Sequence, residues 1–192
     1  MARLADYHGR MLNHVEVLYQ RGERELAVMF FEALGCEVVD TLTPCETGST
    51  ILYVWPDAAE HDRLNNVLYL SEVRDPQWKL EQTLADRLGH DPELAAAFDA
   101  FRSKARTVPH GTPHFGLRYP TFAGLEAVLD RLEHRLDPAL RPRVSVCAVR
   151  PGDHDSMTDE LIQAFVATDV ITTGLFAAGQ LIELQAQELG VG

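Results

Sequence analysis

The N-terminal part of the chain shows a regular alternation of apolar and polar residues. In the segment 11–19, MLNHVEVLY, Val15 and Val17 would face a covering layer, while His14 and Glu16 would point the other way. A period of two residues is typical of a β-strand with one face on a core. This segment is therefore predicted to be a strand with its histidine on the face away from the core.

The pattern then changes to the spacing of an amphipathic helix. In the segment 21–35 the apolar residues recur three to four positions apart, and Gly35 is well placed to end a helix. Three strands are predicted to follow, at 36–42, 49–55 and 65–73. The first part of the chain is thus expected to have the order β-α-β-β-β.

A second set of elements repeats this order. It comprises a strand at 112–119, a helix that opens at Pro120 and runs through Leu132, and strands at 143–149, about 170–176 and 180–187. Such internal repetition indicates duplication of one supersecondary unit. We expect an α+β fold in which two βαβββ modules, at 11–73 and 112–188, form a single open β-cup within one domain.

Two further segments lie outside the repeat. The segment 74–111 has helical patterns near 76–88 and 91–105, and we expect a helical arm. This arm would pack on the outer surface, on a second subunit, or over the cup as a lid. The segment 150–168 is predicted to be a long loop, and long loops in compact domains are often functional.

The composition of the chain argues against some classes of binding partner. The chain has 192 residues and a formal net charge of −12, and such a charge repels the phosphate backbone of nucleic acids. No apolar run approaches the roughly 20 residues that span a bilayer, and the N-terminus lacks the apolar stretch of a secretory signal. We therefore expect a cytoplasmic protein without nucleic-acid or membrane partners.

Three cysteines, Cys36, Cys45 and Cys147, lack CxxC spacing and are expected to be reduced thiols.

Strand parity brings a set of candidate ligands to one surface. His14 and His114 lie on the polar faces of the first strand of each module, and Glu183 lies between two apolar residues in the last strand of the second. An unpaired carboxylate is costly to bury, so Glu183 should face the cup. Two histidines and one glutamate form the facial set favoured by non-haem Fe(II), although Mn, Ni, Zn and Co also fit. A divalent metal held by His14, His114 and Glu183 is therefore predicted.

The βαβββ repeat and four short motifs resemble the vicinal-oxygen-chelate superfamily. The motifs are LNHVEV, FFEALGCEVV, TPHFGL and GQLIEL, and the resemblance covers roughly 11–73 and 112–187. This superfamily includes glyoxalase I, extradiol dioxygenases, fosfomycin-resistance proteins and methylmalonyl-CoA epimerase. The resemblance implies metal ligands on the first and last strands of each module.

Carried over residue by residue, those strand positions are His14, Tyr69, His114 and Glu183. Tyr69 stands where glyoxalase I has a glutamate, so the remaining three ligands look more like those of the extradiol dioxygenases. Two further departures concern the region before Glu183, which lacks the usual DPDG turn and an obvious tyrosine near the substrate position. These departures leave the subfamily open.

The predicted function is that of a metal-dependent enzyme acting on a small substrate with two neighbouring oxygens, extradiol-dioxygenase-like, with Fe preferred. Glu183, Tyr69 and Arg118 are the candidate catalytic residues, Arg118 because it shares a strand face with His114 and suits a substrate carboxylate or phosphate. The alternatives are a glyoxalase I-like lyase or isomerase, a metal-free small-ligand-binding protein of the same fold, and an interaction domain that binds a partner through its arm. A homodimer is expected.

Overall fold

The computed structural model describes residues 12–44 and 50–188. The strands are β1 (His14–Tyr19), β2 (Glu37–Pro44), β3 (Thr50–Trp55), β4 (Val67–Glu72), β5 (His114–Tyr119), β6 (Val144–Val149), β7 (Leu161–Thr168), β8 (Ile171–Thr172) and β9 (Gln180–Gln187). The α-helices are α1 (Arg24–Ala33), α2 (Asp75–His90), α3 (Pro92–Thr107) and α4 (Phe122–His134), with short 3₁₀ turns at Arg141–Arg143 and Phe176–Ala178. None of the helices in the described ranges is long and apolar enough to cross a bilayer.

The strands form two mixed sheets that do not close into a barrel. The first sheet has the order β2-β3-β4-β1-β8, and the second has the order β5-β9-β7-β6. In each sheet the strand before the helix lies parallel to the last strand, so β1 pairs with β4 and β5 pairs with β9. The expected α+β class is confirmed, and both halves use the same strand order.

Helices α1 and α4 pack on one face of the sheets, here called the helix face. Phe30 and Phe31 of α1 and Leu125 and Leu129 of α4 are completely buried in one core cluster that spans both halves. Burying each such side chain contributes about 1.5–3 kcal/mol, so the helical stripes hold the halves together. Tyr119 adds a polar link, because its hydroxyl donates to the carbonyl oxygen of Leu34 at 2.7 Å and burial raises the pKa of its phenol.

The structure corrects the predicted course of the chain after β6. Part of the predicted loop 150–168 is the strand β7, which lies between β6 and β9 in the second sheet. The predicted strand at 170–176 shrinks to β8, whose Thr172 pairs with Leu18 of β1 in the other sheet. The third strand of the second half is thus β7.

The sequence of β7 explains why alternation did not identify it as a strand. Ala164, Phe165 and Val166 are buried in succession, so both faces of the strand are covered and no polar residue interrupts the apolar run. A strand buried on both faces is hard to distinguish from other apolar segments by periodicity. Only the pairing of β7 with its two neighbouring strands in the sheet identifies it as a strand.

The arm between the halves consists of α2 and α3, as the helical patterns predicted. It packs on the segment 173–179 of the same chain through hydrogen bonds. The buried carboxylate of Glu81 accepts the backbone N–H groups of Phe176 at 2.9 Å and Ala177 at 3.3 Å. Gln77 donates to the carbonyl oxygen of Gly174 at 2.7 Å, and Arg102 donates to that of Ala177 at 2.8 Å. The arm therefore holds in place the connection that leads from β8 to β9.

We expect Glu81→Ala to destabilise the protein by about 1–3 kcal/mol, because two N–H groups near the buried 3₁₀ turn lose their acceptor. Urea unfolding measures this change. Gln82→Ala removes the exposed side chain next to Glu81 in the same helix and should change stability by less than about 0.5 kcal/mol. Equal unfolding midpoints for the two variants would contradict the role assigned to Glu81.

Candidate functional site

The predicted site residues all lie on the sheet faces opposite α1 and α4, here called the far faces. In the first sheet Glu16 is in register with Tyr69, while the alternate residues Val17 and Leu70 are fully buried in the core. The same holds in the second sheet, where Glu183 alternates with residues buried beneath α4. The parity argument for these side chains is therefore confirmed.

His114 and Glu183 form a hydrogen-bonded pair on the far face of the second sheet. The Nε2 atom of His114 lies 3.2 Å from Oε2 of Glu183, and Nε2 of Gln163 donates to Oε1 of the same carboxylate at 2.7 Å. The side chains of His114 and Glu183 remain 28% and 18% exposed. The ring of Phe165 packs edge-on against that of His114, with centroids 5.8 Å apart. The pair is thus held on three sides and is still accessible.

The hydrogen-bond partners of His114 restrict where its protons lie. Its Nδ1 atom is 2.8 Å from the carbonyl oxygen of Thr112, which can only accept, so Nδ1 carries a hydrogen. The other ring nitrogen faces the carboxylate of Glu183, which also only accepts when it is ionised. A favourable contact between Nε2 and Oε2 therefore needs one positive charge between them, supplied by a shared proton or by another cation.

His14 and Tyr69 form a second group, on the far face of the first sheet. Their rings stack with centroids 4.8 Å apart, and Tyr69 meets the ring of Tyr53 edge-on at 5.6 Å. Tyr53 in turn stacks on Trp55 at 5.5 Å, which extends the row of flat rings across the sheet. The Tyr69 hydroxyl donates to the carbonyl oxygen of Arg63 at 2.9 Å. This row of His14, Tyr69, Tyr53 and Trp55 is called the aromatic row below.

Tyr69 is a neutral phenol in this setting. Partial burial raises the pKa of its hydroxyl first, and the nearby charge of Glu16 raises the pKa further. A hydroxyl that is protonated and already donates to a backbone carbonyl is suited to packing and hydrogen bonding. It is not suited to act as an anionic base at neutral pH.

The three predicted metal ligands are not gathered into one donor set. Among residues 12–44 and 50–188, no group of three or more His, Cys, Asp or Glu side chains is arranged to hold a metal ion. His114 and Glu183 converge, whereas His14 stacks on Tyr69, and Glu16 accepts a hydrogen bond from Ser71 at 2.8 Å. The described side chains thus provide two of the three expected ligands in one place, and the metal itself stays a prediction.

Arg118 lies exposed on the same strand face as His114. Its guanidinium donates to Oε1 of Gln187 at 2.5 Å, and no described carboxylate forms an ion pair with it. It does not balance Glu16, which is bonded to Ser71. A cation held by a neutral amide remains available to an anionic group of a ligand.

Gln163 and Phe165 are site residues that the sequence reasoning missed. Both lie on β7, which was predicted to be part of a loop, and its run of consecutive buried residues left no alternation that would have found them. Of the cysteines, Cys36 is buried, and burial raises the pKa of its thiol to about 12. Cys147 is also a free thiol, and Cys45 lies outside the described residues.

We expect the imidazole of His114 to carry a hydrogen on Nδ1 at neutral pH, because the carbonyl oxygen of Thr112 can only accept. Glu183→Gln should keep that hydrogen and leave Nε2 unprotonated, since the new amide can donate to it. Long-range ¹⁵N–¹H correlation spectra of protein labelled at histidine, assigned with His114→Asn, would report both states. A wild-type tautomer protonated only at Nε2 would contradict the hydrogen-bond arrangement.

The chain was compared with family models, with curated proteins and with solved structures, and none of the three comparisons found a match.

Proposed function

We propose that the protein binds a small organic molecule in an open cup formed by the far faces of its two sheets. The observation that carries this proposal is the pair of His114 and Glu183. The imidazole and the carboxylate face each other at 3.2 Å, are fixed from behind by Thr112 and Gln163, and remain partly exposed. Polar groups fixed in place and still accessible are what orient a ligand in a small-molecule site.

The pair is suited to exchange a proton with a bound ligand. The hydrogen between Nε2 of His114 and Oε2 of Glu183 can be donated to a carbonyl or hydroxyl oxygen placed beside the pair, and the pair can take it back. Gln163 keeps the carboxylate oriented, and Thr112 keeps the imidazole in one tautomer. A molecule with two neighbouring oxygens would be held at two points, one by each member of the pair.

The aromatic row gives the proposed ligand a flat surface to pack against. Stacked and edge-on rings at centroid distances of 4.8–5.6 Å present a continuous apolar strip along the first sheet. Aromatic side chains favour offset stacking with planar molecules, and this adds to the burial of apolar area. A planar ligand with vicinal oxygens fits these features best.

A metal-dependent enzyme of the vicinal-oxygen-chelate type is the second candidate, and one observation favours it. A metal-binding histidine commonly donates its other ring N–H to a backbone carbonyl, as His114 does to Thr112. A divalent cation such as Fe would then supply the positive charge between His114 and Glu183, and would polarise substrate oxygens. His14, the third ligand that the resemblance implies, stacks on Tyr69, so the described donor set does not fit a three-ligand site and a binding function comes first.

Catechol is a suitable probe because it is planar and has two neighbouring hydroxyls. We expect it to bind the wild-type protein without added metal, and His114→Ala to weaken binding by roughly tenfold or more through loss of a charged hydrogen bond. Isothermal titration calorimetry measures this change. His90→Ala, on the exposed surface of α2, is the matched control and should bind catechol as the wild type does.

Metal content separates the two candidates. Protein purified without chelators should contain well below one equivalent of Fe, Mn, Ni, Zn or Co by mass spectrometry if the binding function is right. Near-stoichiometric metal that is lost in His114→Ala would replace the first proposal with the second. Absence of both catechol binding and metal uptake would contradict both candidates.

A further inference from the structure

A cavity of about 260 Å³ lies between α3 and the second sheet. Phe101 and Ala105 of α3 form one wall, and Ala167 and Leu181 on the far face of the sheet form the opposite wall. The segment 172–180 closes one side. Neither His114 nor Glu183 lines the cavity, although Thr112, whose carbonyl oxygen contacts His114, does.

Two arginines of α3 line this cavity, and only one of them has a partner. Arg102 donates to the carbonyl oxygen of Ala177 at 2.8 Å and lies 3.5 Å from the carboxylate of Asp99. Arg106 makes no hydrogen bond or ion pair with any side chain or carbonyl in the described ranges. Its charge is therefore available to an occupant of the cavity.

The carboxylate on the cavity wall does not cancel this charge. Asp169 lines the cavity, but its Oδ1 accepts from Nε of Arg143 at 2.6 Å, and its backbone oxygen accepts from the same guanidinium at 3.2 Å. Arg143 also donates to Glu23 at 2.8 Å. Among the described residues, Asp169 thus forms its ion pair with Arg143, which it shares with Glu23, and not with Arg106.

Two threonine hydroxyls on the wall of the cavity have hydrogens left to donate. The hydroxyl oxygens of Thr168 and Thr172 accept backbone N–H groups at 3.1 Å and 3.0 Å, which leaves their own hydrogens as donors. The side-chain oxygen of Gln180 accepts the N–H and the hydroxyl of Thr173, both at 2.8 Å, and the Gln180 amide donates to the carbonyl oxygen of Leu181 at 2.7 Å. The hydroxyl hydrogens of Thr168 and Thr172, together with the guanidinium of Arg106, are the donors that suit an anion.

The end of α3 that carries Arg106 also fixes the rim of the cavity. The ammonium group of Lys104 donates to the carbonyl oxygen of His110 at 3.1 Å and to the hydroxyl of Thr112 at 3.2 Å. Cations in the last turn of a helix also stabilise its negative end. Stabilisation of the helix end would account for the cations at this end of α3. It does not account for the threonine hydroxyls on the opposite wall, which have hydrogens to donate.

We propose that this cavity binds a small organic anion, a carboxylate or a phosphate monoester. The anionic group pairs with the guanidinium of Arg106 and takes hydrogens from the threonine hydroxyls. The apolar part of the molecule packs on Phe101 and Ala105. Arginine binds both carboxylate and phosphate in a two-point manner, so the two classes share one site chemistry.

Benzoate and phenyl phosphate are the probes, because they carry the two anionic groups on the same apolar ring. We expect at least one of them to bind the full-length protein and to shift the backbone amide NMR signals of residues 172–180. Arg106→Gln removes the charge from an exposed side chain, so the fold is kept, and it should weaken binding about tenfold or more. Which probe binds more tightly identifies the class of anion.

Two further variants complete the test. Arg87→Gln removes an exposed arginine of α2 outside the cavity and should bind the probe as the wild type does. Ala105→Leu fills part of the cavity and should weaken binding without removing any charge. Absence of binding of both probes at millimolar concentration, or equal affinity in the wild type and Arg106→Gln, would overturn the proposal.

Discussion

The parallel pairing of β5 with β9 is the constraint on which the rest of the site depends. It places Gly116 directly beside Glu183, with His114 one pleat further along the same face. On this face the carboxylate of Glu183 and the imidazole of His114 meet at 3.2 Å. The helix face of the same strands carries Ile182 and Leu184, whose complete burial prevents the register from slipping.

The helical arm has a structural role beyond linking the two repeated modules. The second sheet is joined to the first by the chain that runs through β8, which pairs with β1, and then through the segment 173–179 to β9. A short strand of this kind provides few ladder hydrogen bonds of its own. Glu81, Gln77 and Arg102 supply polar contacts to that segment, so the arm supports the strand that carries Glu183.

The two proposed sites of this acidic protein differ in the kind of ligand that they suit. The pair of His114 and Glu183 brings an imidazole and a carboxylate within 3.2 Å of each other, and it suits a ligand with polar oxygens. The cavity beside α3 has a guanidinium without an ion pair among the described residues, and it suits an anion. The β7 strand passes both, with Phe165 packing against His114 and Ala167 lining the cavity. Side chains of one strand thus contribute to two different environments.

The sequence by itself determined the α+β class, the helices and the faces on which His14, His114, Tyr69 and Glu183 lie, because period and parity are local properties of the chain. Only the tertiary structure decided that β7 is a central strand, that His114 pairs with Glu183, and that His14 packs on Tyr69 instead. Side chains from distant segments meet according to sheet order and register. A local pattern states which face a side chain occupies, whereas the distance between two such side chains depends on how the strands are arranged in space.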